Sequence, residues 1–289
     1  MADTRVLETS GARITYDVHG PLPPADGRPP LLMIGQPMDA SGFRALAERF
    51  ADRTVVTYDP RGLGRSTRSD GRTDSVPATQ AEDLHALIAE LAAGPVDVFG
   101  SSGGAIAGLA LVTAHPDDVV TLVAHEPPII GVLPDAEAAQ RATDQFRQAY
   151  QAKGWGHGMA GFMAMTTWQG EYTDEYFAQP APDPAMFGMP SEDDGSRDDP
   201  LLSERSNAVT DYRLDVEALR AAPTRVVVAV GEETTGTFTA RTSVAAAQAL
   251  GQEPVVFPSH HGGFLDGEFG WPGKPDEFAT TLREALESR

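Results

Sequence analysis

Val98-Phe99-Gly100-Ser101-Ser102-Gly103-Gly104 sets two adjacent serines between glycines. The apolar residues 96–99 before it have strand composition, and Ala105-Ile106-Ala107-Gly108-Leu109 after it continues as a helix. The glycines and serines therefore occupy a strand-to-helix turn, and residues 100–104 match G-x-S-x-G with Ser102 at the centre. Such a turn is tight enough that side chains two residues either side of the serine would collide with neighbouring backbone, which is why glycine stands there. A glycine-rich turn after a strand can also cradle a phosphate. That reading fails here, because no lysine follows in a G-x-x-x-x-G-K-[ST] arrangement and no acidic ribose ligand completes a G-x-G-x-x-G unit. Ser102 is the candidate nucleophile and Ser101 belongs to the turn.

Outward from the turn, short apolar runs alternate with amphipathic segments. Strands are expected at 12–19, 31–34, 54–58, 96–99, 121–124, 225–230 and 254–257, and helices at 42–50, 79–93, 105–115, 239–250 and 276–287. Nearly continuous apolar strands are those of a parallel sheet covered on both faces, so the expected class is α/β with a doubly wound, mostly parallel sheet. The alternation stops at 131–215, where no strand pattern occurs and a polar stretch fills 190–200. A core of 1–130 and 216–289 with a mostly helical cap at 131–215 is the expected organisation. An insertion at the carboxyl edge of a parallel sheet covers the crevice where such sheets bind ligands. The segment's aromatic and methionine side chains, which include Phe162, Met163, Tyr172, Phe177 and Met189, suit a bulky apolar substrate, and Trp155, Met165, Trp168 and Phe187 are the candidate substrate contacts.

Composition narrows the function. The 289 residues carry 42 Asp and Glu against 22 Lys and Arg, a net charge of −20 that disfavours nucleic acid and anionic membrane surfaces. There is no cysteine, which excludes disulfides and thiolate chemistry. No run of about 18 apolar residues suits a bilayer. A soluble, cytoplasmic protein without cofactor or metal is expected, acting on a small molecule, and a homodimer is compatible with the reading.

Further motifs extend the pattern. Ile34-Gly35-Gln36-Pro37 with Phe43 resembles an H-G-x-P segment followed by an aromatic residue, with isoleucine in place of the histidine. Asp59-Pro60-Arg61-Gly62-Leu63-Gly64-Arg65-Ser66 matches D-x-R-G-x-G-x-S, and His115-Pro116-Asp117 closes the helix after the turn. In this order the motifs resemble the α/β-hydrolase superfamily over most of the chain outside 131–215. The resemblance implies a serine hydrolase fold and an oxyanion hole made by the backbone N–H groups of Gly103 and Gln36.

A serine nucleophile needs a base. Of seven histidines, His19 ends an early strand, His85 lies on a helix, His115 caps one, His125 precedes Glu126 and His157 is in the insertion, which leaves His260 and His261 in Pro258-Ser259-His260-His261-Gly262. The family pattern places the catalytic histidine at His261. The acid is less regular. After the strand at 225–230, where the family usually has an aspartate, this chain has Glu232, Glu233 and then Thr234, which cannot carry the charge that stabilises an imidazolium. Glu126 stands at the end of the neighbouring strand, in Leu122-Val123-Ala124-His125-Glu126-Pro127-Pro128, 24 residues beyond Ser102. Adjacent strand ends are only about 5 Å apart, so its side chain can reach the same histidine. This position of the acid resembles that of the zearalenone lactonases.

The expected activity is hydrolysis of a carboxylic ester or lactone of a bulky apolar molecule, with Ser102 as nucleophile, His261 as base and Glu126 as acid. A cofactor-free perhydrolase or haloperoxidase-like enzyme, a non-hydrolytic biosynthetic enzyme and a ligand receptor on the same scaffold are the alternatives, since a fold does not determine a reaction.

Overall fold

The computed structural model describes residues 2–288. Its strands are β1 (Asp3–Thr9), β2 (Ala12–His19), β3 (Leu31–Gln36), β4 (Val55–Tyr58), β5 (Thr67–Arg68), β6 (Val96–Ser102), β7 (Val119–His125), β8 (Arg225–Gly231) and β9 (Val255–Phe257). They form one sheet in the order β1-β2-β4-β3-β6-β7-β8-β9, with β5 beside β2. All pairs from β4 to β9 are parallel, while β2 is antiparallel to β1, β4 and β5. This is the mixed, mostly parallel α/β sheet that the sequence predicts. The strands β1 and β5 are additional to it. β1 is an edge strand with mostly exposed polar residues, so it shows none of the apolar run that marks its neighbours.

Among the described residues ten α-helices accompany the sheet: α1 (Arg44–Glu48), α2 (Pro77–Leu91), α3 (Gly103–Ala114), α4 (Ala136–Lys153), α5 (Trp155–Thr167), α6 (Asp174–Phe177), α7 (Asn207–Thr210), α8 (Val216–Ala221), α9 (Phe238–Leu250) and α10 (Pro275–Glu287). The period of two along β3 separates the core into two faces. Leu32 and Ile34 pack with Leu84, Leu87 and Leu109 of α2 and α3, whereas Leu31 and Met33 pack on the other face with Phe50 and with Phe278 of α10. Between β7 and β8, residues 131–215 hold α4 to α7 and no strand among the described residues. Their apolar side chains, including Phe146, Tyr150 and Met165, form a third cluster with Phe238 of α9. No described helix is long and apolar enough to cross a membrane.

The carboxyl ends of the central strands are brought level by the sheet register. Gln36 of β3 pairs with Ser102 of β6, and Ser101 pairs with His125 of β7. At the turn between β6 and α3, Ser102 has φ +57° and ψ −126°, in the left-handed half of backbone space. A Cβ on Gly104 would lie 2.2 Å from the Ile34 carbonyl oxygen, so the turn can press against β3 only without a side chain there. The loop after β4 is held by polar contacts. Asp59 accepts from the Ala40 and Arg65 N–H groups, and Arg61 forms a buried bidentate pair with Asp83.

His125 ends β7 inside the core, fully buried and surrounded by Phe99, Phe257, Phe264 and Phe278. Its Nδ1 lies 3.3 Å from Ser101 Oγ, and its Nε2 is buried without a partner among the described residues. Burial pushes its pKa down from 6.5 to about 4, against the attraction of Glu126.

Gly104→Ala should lower unfolding free energy by about 3 kcal/mol through backbone collision, and Gly131→Ala, where nothing lies within 4 Å of the new Cβ, should change little. Equal denaturation midpoints for the two variants would contradict the close approach of the turn to β3. For His125, the folded state holds the neutral ring while the unfolded chain takes up a proton below the ordinary pKa. Stability should therefore fall as pH drops from about 6.5 to about 4. In urea titrations across that window, His125→Phe should remove up to one proton from the pH dependence, about 1.4 kcal/mol per pH unit. An unchanged slope would show that the buried imidazole does not titrate as its surroundings require.

Candidate active site

Glu126 follows β7 directly and has φ +50°, although it precedes Pro127, a position that normally favours extended backbone. Its N–H donates to the Ala229 carbonyl of β8, 3.0 Å away, which ties the residue to the next strand. The carboxylate is completely buried. One oxygen, Oε1, accepts from the Gly231 N–H at 2.9 Å and from the Thr234 hydroxyl. The other, Oε2, accepts from the Thr239 hydroxyl at 2.8 Å and lies 2.5 Å from His261 Nδ1. Burial alone would raise the carboxyl, but the hydrogen bond and attraction of His261, with help from Thr234, hold it well below the usual carboxylate range.

His261 is part of the loop after β9 and is about one-third exposed. With Nδ1 turned to Glu126, its Nε2 is the nitrogen left for other partners. Ser102, Gly103, Gln36 and His261 all line one cavity of about 490 Å³ at the carboxyl edge of the sheet. Ser102 and His261 share no hydrogen bond among the described residues, and such bonds commonly tighten only once substrate is in place. At the β3 end, a Cβ on Gly103 would stand 2.8 Å from the Gln36 carbonyl oxygen, so the two segments proposed to supply oxyanion donors touch. The Gln36 side chain turns aside and donates to Ser75 Oγ at 2.8 Å.

The competing residues have other partners. His260 also lines the cavity, but its Nε2 faces the Pro272 carbonyl at 3.1 Å and its Nδ1 accepts from the Gly262 N–H. Glu232 accepts from Lys274 Nζ at 2.7 Å and from the Ser259 N–H, and Glu233 pairs with the same lysine at 2.9 Å. The structure thus brings Glu126, and neither Glu232 nor Glu233, to the loop histidine.

Of the four candidate substrate contacts, only Met165 lines the cavity. Trp155 turns its indole N–H to Asp199, Trp168 donates to the Glu171 carbonyl and packs edge-on against Tyr176, and Phe187 is 43% exposed on a short 3-10 helix. These three serve the packing and surface of the 131–215 segment. The apolar wall is made by Met165 together with Phe162 and Met163 of the same helix and with Phe146, Leu201 and Phe238. Of the two threonines that hold Glu126, the sequence marks Thr234 only as the residue standing where an aspartate is usual, and Thr239, in the first turn of α9, not at all. Arg147 is likewise unmarked in sequence, although its spacing from Thr143 and Phe146 places all three on one helix face.

A separate polar group lies on α2 and just beyond α3. His85, His115 and Asp118 have potential ligand atoms within 4.8 Å of one another, and they are engaged in His85–Asp118 and His115–Glu82 pairs. None of these residues lines the cavity.

Comparison with known proteins agrees with this architecture. A model of the alpha/beta hydrolase family matches residues 18–280. An uncharacterized hydrolase of Bacillus subtilis, YraK, is 31% identical over 286 residues, covering 97% of this chain and 95% of that protein. Among solved structures, an esterase from Thermogutta terrifontis superposes with a TM-score of 0.63 at 20% identity, covering 99% of this chain and 98% of that one. An enol-lactonase from Burkholderia xenovorans gives 0.63 at 17% identity, covering 98% of this chain and all of that one. With the family model spanning both halves of the sheet and a relative aligned nearly end to end, the chain belongs to the alpha/beta hydrolase family.

Proposed function

We propose that this hydrolase cleaves a carboxylic ester or lactone of a bulky apolar small molecule through an acyl-enzyme on Ser102. The observation that carries the reading is the 2.5 Å contact between His261 Nδ1 and the buried Glu126 carboxylate, made at the edge of the cavity that holds Ser102. Glu126 holds the proton on Nδ1 and leaves the Nε2 lone pair to take the Ser102 proton as Oγ attacks the carbonyl. The imidazolium that forms then faces a carboxylate already held ionised by its four donors. Its proton passes to the leaving alkoxide, and water repeats the sequence in reverse to free the acid and restore Ser102. The N–H groups of Gly103 and Gln36 are the donors for the oxyanion, worth about 10²- to 10³-fold in turnover each.

The apolar cavity wall supports a hydrophobic acyl or alcohol group, and residues 131–215 act as the lid over it. The esterase and enol-lactonase that share the fold support ester-type chemistry. The glutamate in the acid position is the feature by which the chain resembles the zearalenone lactonases.

Ser102→Ala should lower kcat for p-nitrophenyl ester hydrolysis by at least about 10³-fold, whereas Ser101→Ala, whose hydroxyl faces His125, should retain most of it. Full activity in Ser102→Ala with loss in Ser101→Ala would overturn the assignment of the nucleophile.

A further inference from the structure

Among the described residues three arginines are buried, and two of them have a buried aspartate as counter-ion. Arg53 pairs with Asp97 at 2.9 Å and Arg61 with Asp83 at 2.6 Å. The third, Arg147, is 9% exposed and forms no ion pair among the described residues. It projects from α4 into the wall of the cavity that holds Ser102. Its Nη2 donates to Ser206 Oγ at 3.2 Å and Thr210 Oγ1 at 3.4 Å, both long for bonds from a charged donor. Those hydroxyls spend their own protons on the Leu201 and Asn207 carbonyls, so they are neutral acceptors only. Nε is buried with no partner among the described residues.

A guanidinium has five donors and cannot shed its charge, so without an anion its only compensation beyond the two hydroxyls is the Phe146 ring, whose centroid lies 5.6 Å from Cζ. The nearest acids, Asp211, Asp144 and Glu204, attract it at longer range, but burial outweighs them and pulls its pKa below the ordinary arginine value. Among the described residues no lysine and no other arginine lines the cavity, and the acid that does, Glu233, is already paired with Lys274. A single negative charge therefore matches the site, while a dianionic phosphate would leave a surplus charge buried among Phe146, Met165 and Val209. A planar carboxylate fits the fork of the guanidinium.

We propose that Arg147 binds a carboxylate on the substrate itself, so that the molecule cleaved is an apolar ester or lactone carrying a free carboxylate away from the scissile carbonyl. The proposal rests on the hydrolase reading for which end of the substrate is cleaved. Arg147 lies on the wall formed by α4 and α7, whereas Ser102 comes from the turn between β6 and α3. A substrate bridging the two is held at both ends, with its apolar body against the side chains between. The protein's net charge of −20 repels anions at long range, so a buried donor acting at contact distance gives selectivity after entry rather than faster capture.

The test compares two esters of equal chain length, mono-p-nitrophenyl suberate with its free terminal carboxylate and p-nitrophenyl octanoate without one. The quantity read is the ratio of their kcat/KM values, in which any general loss of folding or catalysis cancels. Arg147→Met should lower that ratio roughly 10- to 100-fold, the range that loss of a charge-assisted hydrogen bond confers. A ratio unchanged by the substitution overturns the carboxylate site and leaves the hydrolase reading standing. A second arm does not depend on turnover: in Ser102→Ala, calorimetry should show monomethyl suberate binding more tightly than dimethyl suberate. If neither nitrophenyl ester is cleaved but the monomethyl ester binds selectively, the hydrolase reading fails and the anion site holds. Equal binding of the two methyl esters overturns the site.

Discussion

The buried carboxylate of Glu126 is the point on which the rest of the site depends. An ionised carboxylate with no access to water is costly unless its lone pairs are met by donors. Here the donors come from separate parts of the chain: Gly231 at the end of β8, Thr234 in the turn after it, Thr239 at the start of α9, and His261 in the loop after β9. The one anion therefore locks the carboxyl ends of adjacent strands together and orients the imidazole. Thr234, at the position where an aspartate is usual in this family, does not leave a gap. Its hydroxyl donates to the glutamate that stands one strand earlier.

The sheet was largely legible in sequence because its strands are buried on both faces and its turns are marked by glycine. Every expected strand is present within a few residues, and the G-x-S-x-G turn takes the strained backbone that its glycines imply. β1 was not legible, since an edge strand needs no apolar run. The cavity lining was legible only in kind. Aromatic and methionine content marks 131–215 as apolar, but it does not tell which face of a helix meets the sheet and which meets its neighbours. Trp155 and Trp168 are held by Asp199 and by the Glu171 carbonyl, contacts made by groups distant in sequence or placed by local turns.

His125 and Arg147 have contrasting electrostatic settings. Behind Ser101, His125 is kept neutral by burial among aromatic rings and packs its ring 6.0 Å from that of His261, giving the loop histidine an uncharged neighbour. In the wall, Arg147 keeps its charge in an apolar setting where a direct ionic partner is missing among the described residues. A low-dielectric cavity strengthens both effects, since attraction and desolvation grow together as water is excluded. The arrangement joins an apolar container to a small number of placed charges, the composition of a site that selects by orientation more than by surface area.

Steady-state hydrolysis of p-nitrophenyl octanoate by Glu126→Gln isolates the role of the buried anion, because glutamine keeps the shape of the side chain while removing the charge that faces the imidazole. With Glu126 as the acid, kcat should fall about 10³- to 10⁴-fold with little change in KM. A rate within a few-fold of the unaltered enzyme, together with loss of activity in Glu232→Gln or Glu233→Gln, would contradict it and move the acid to the loop after β8.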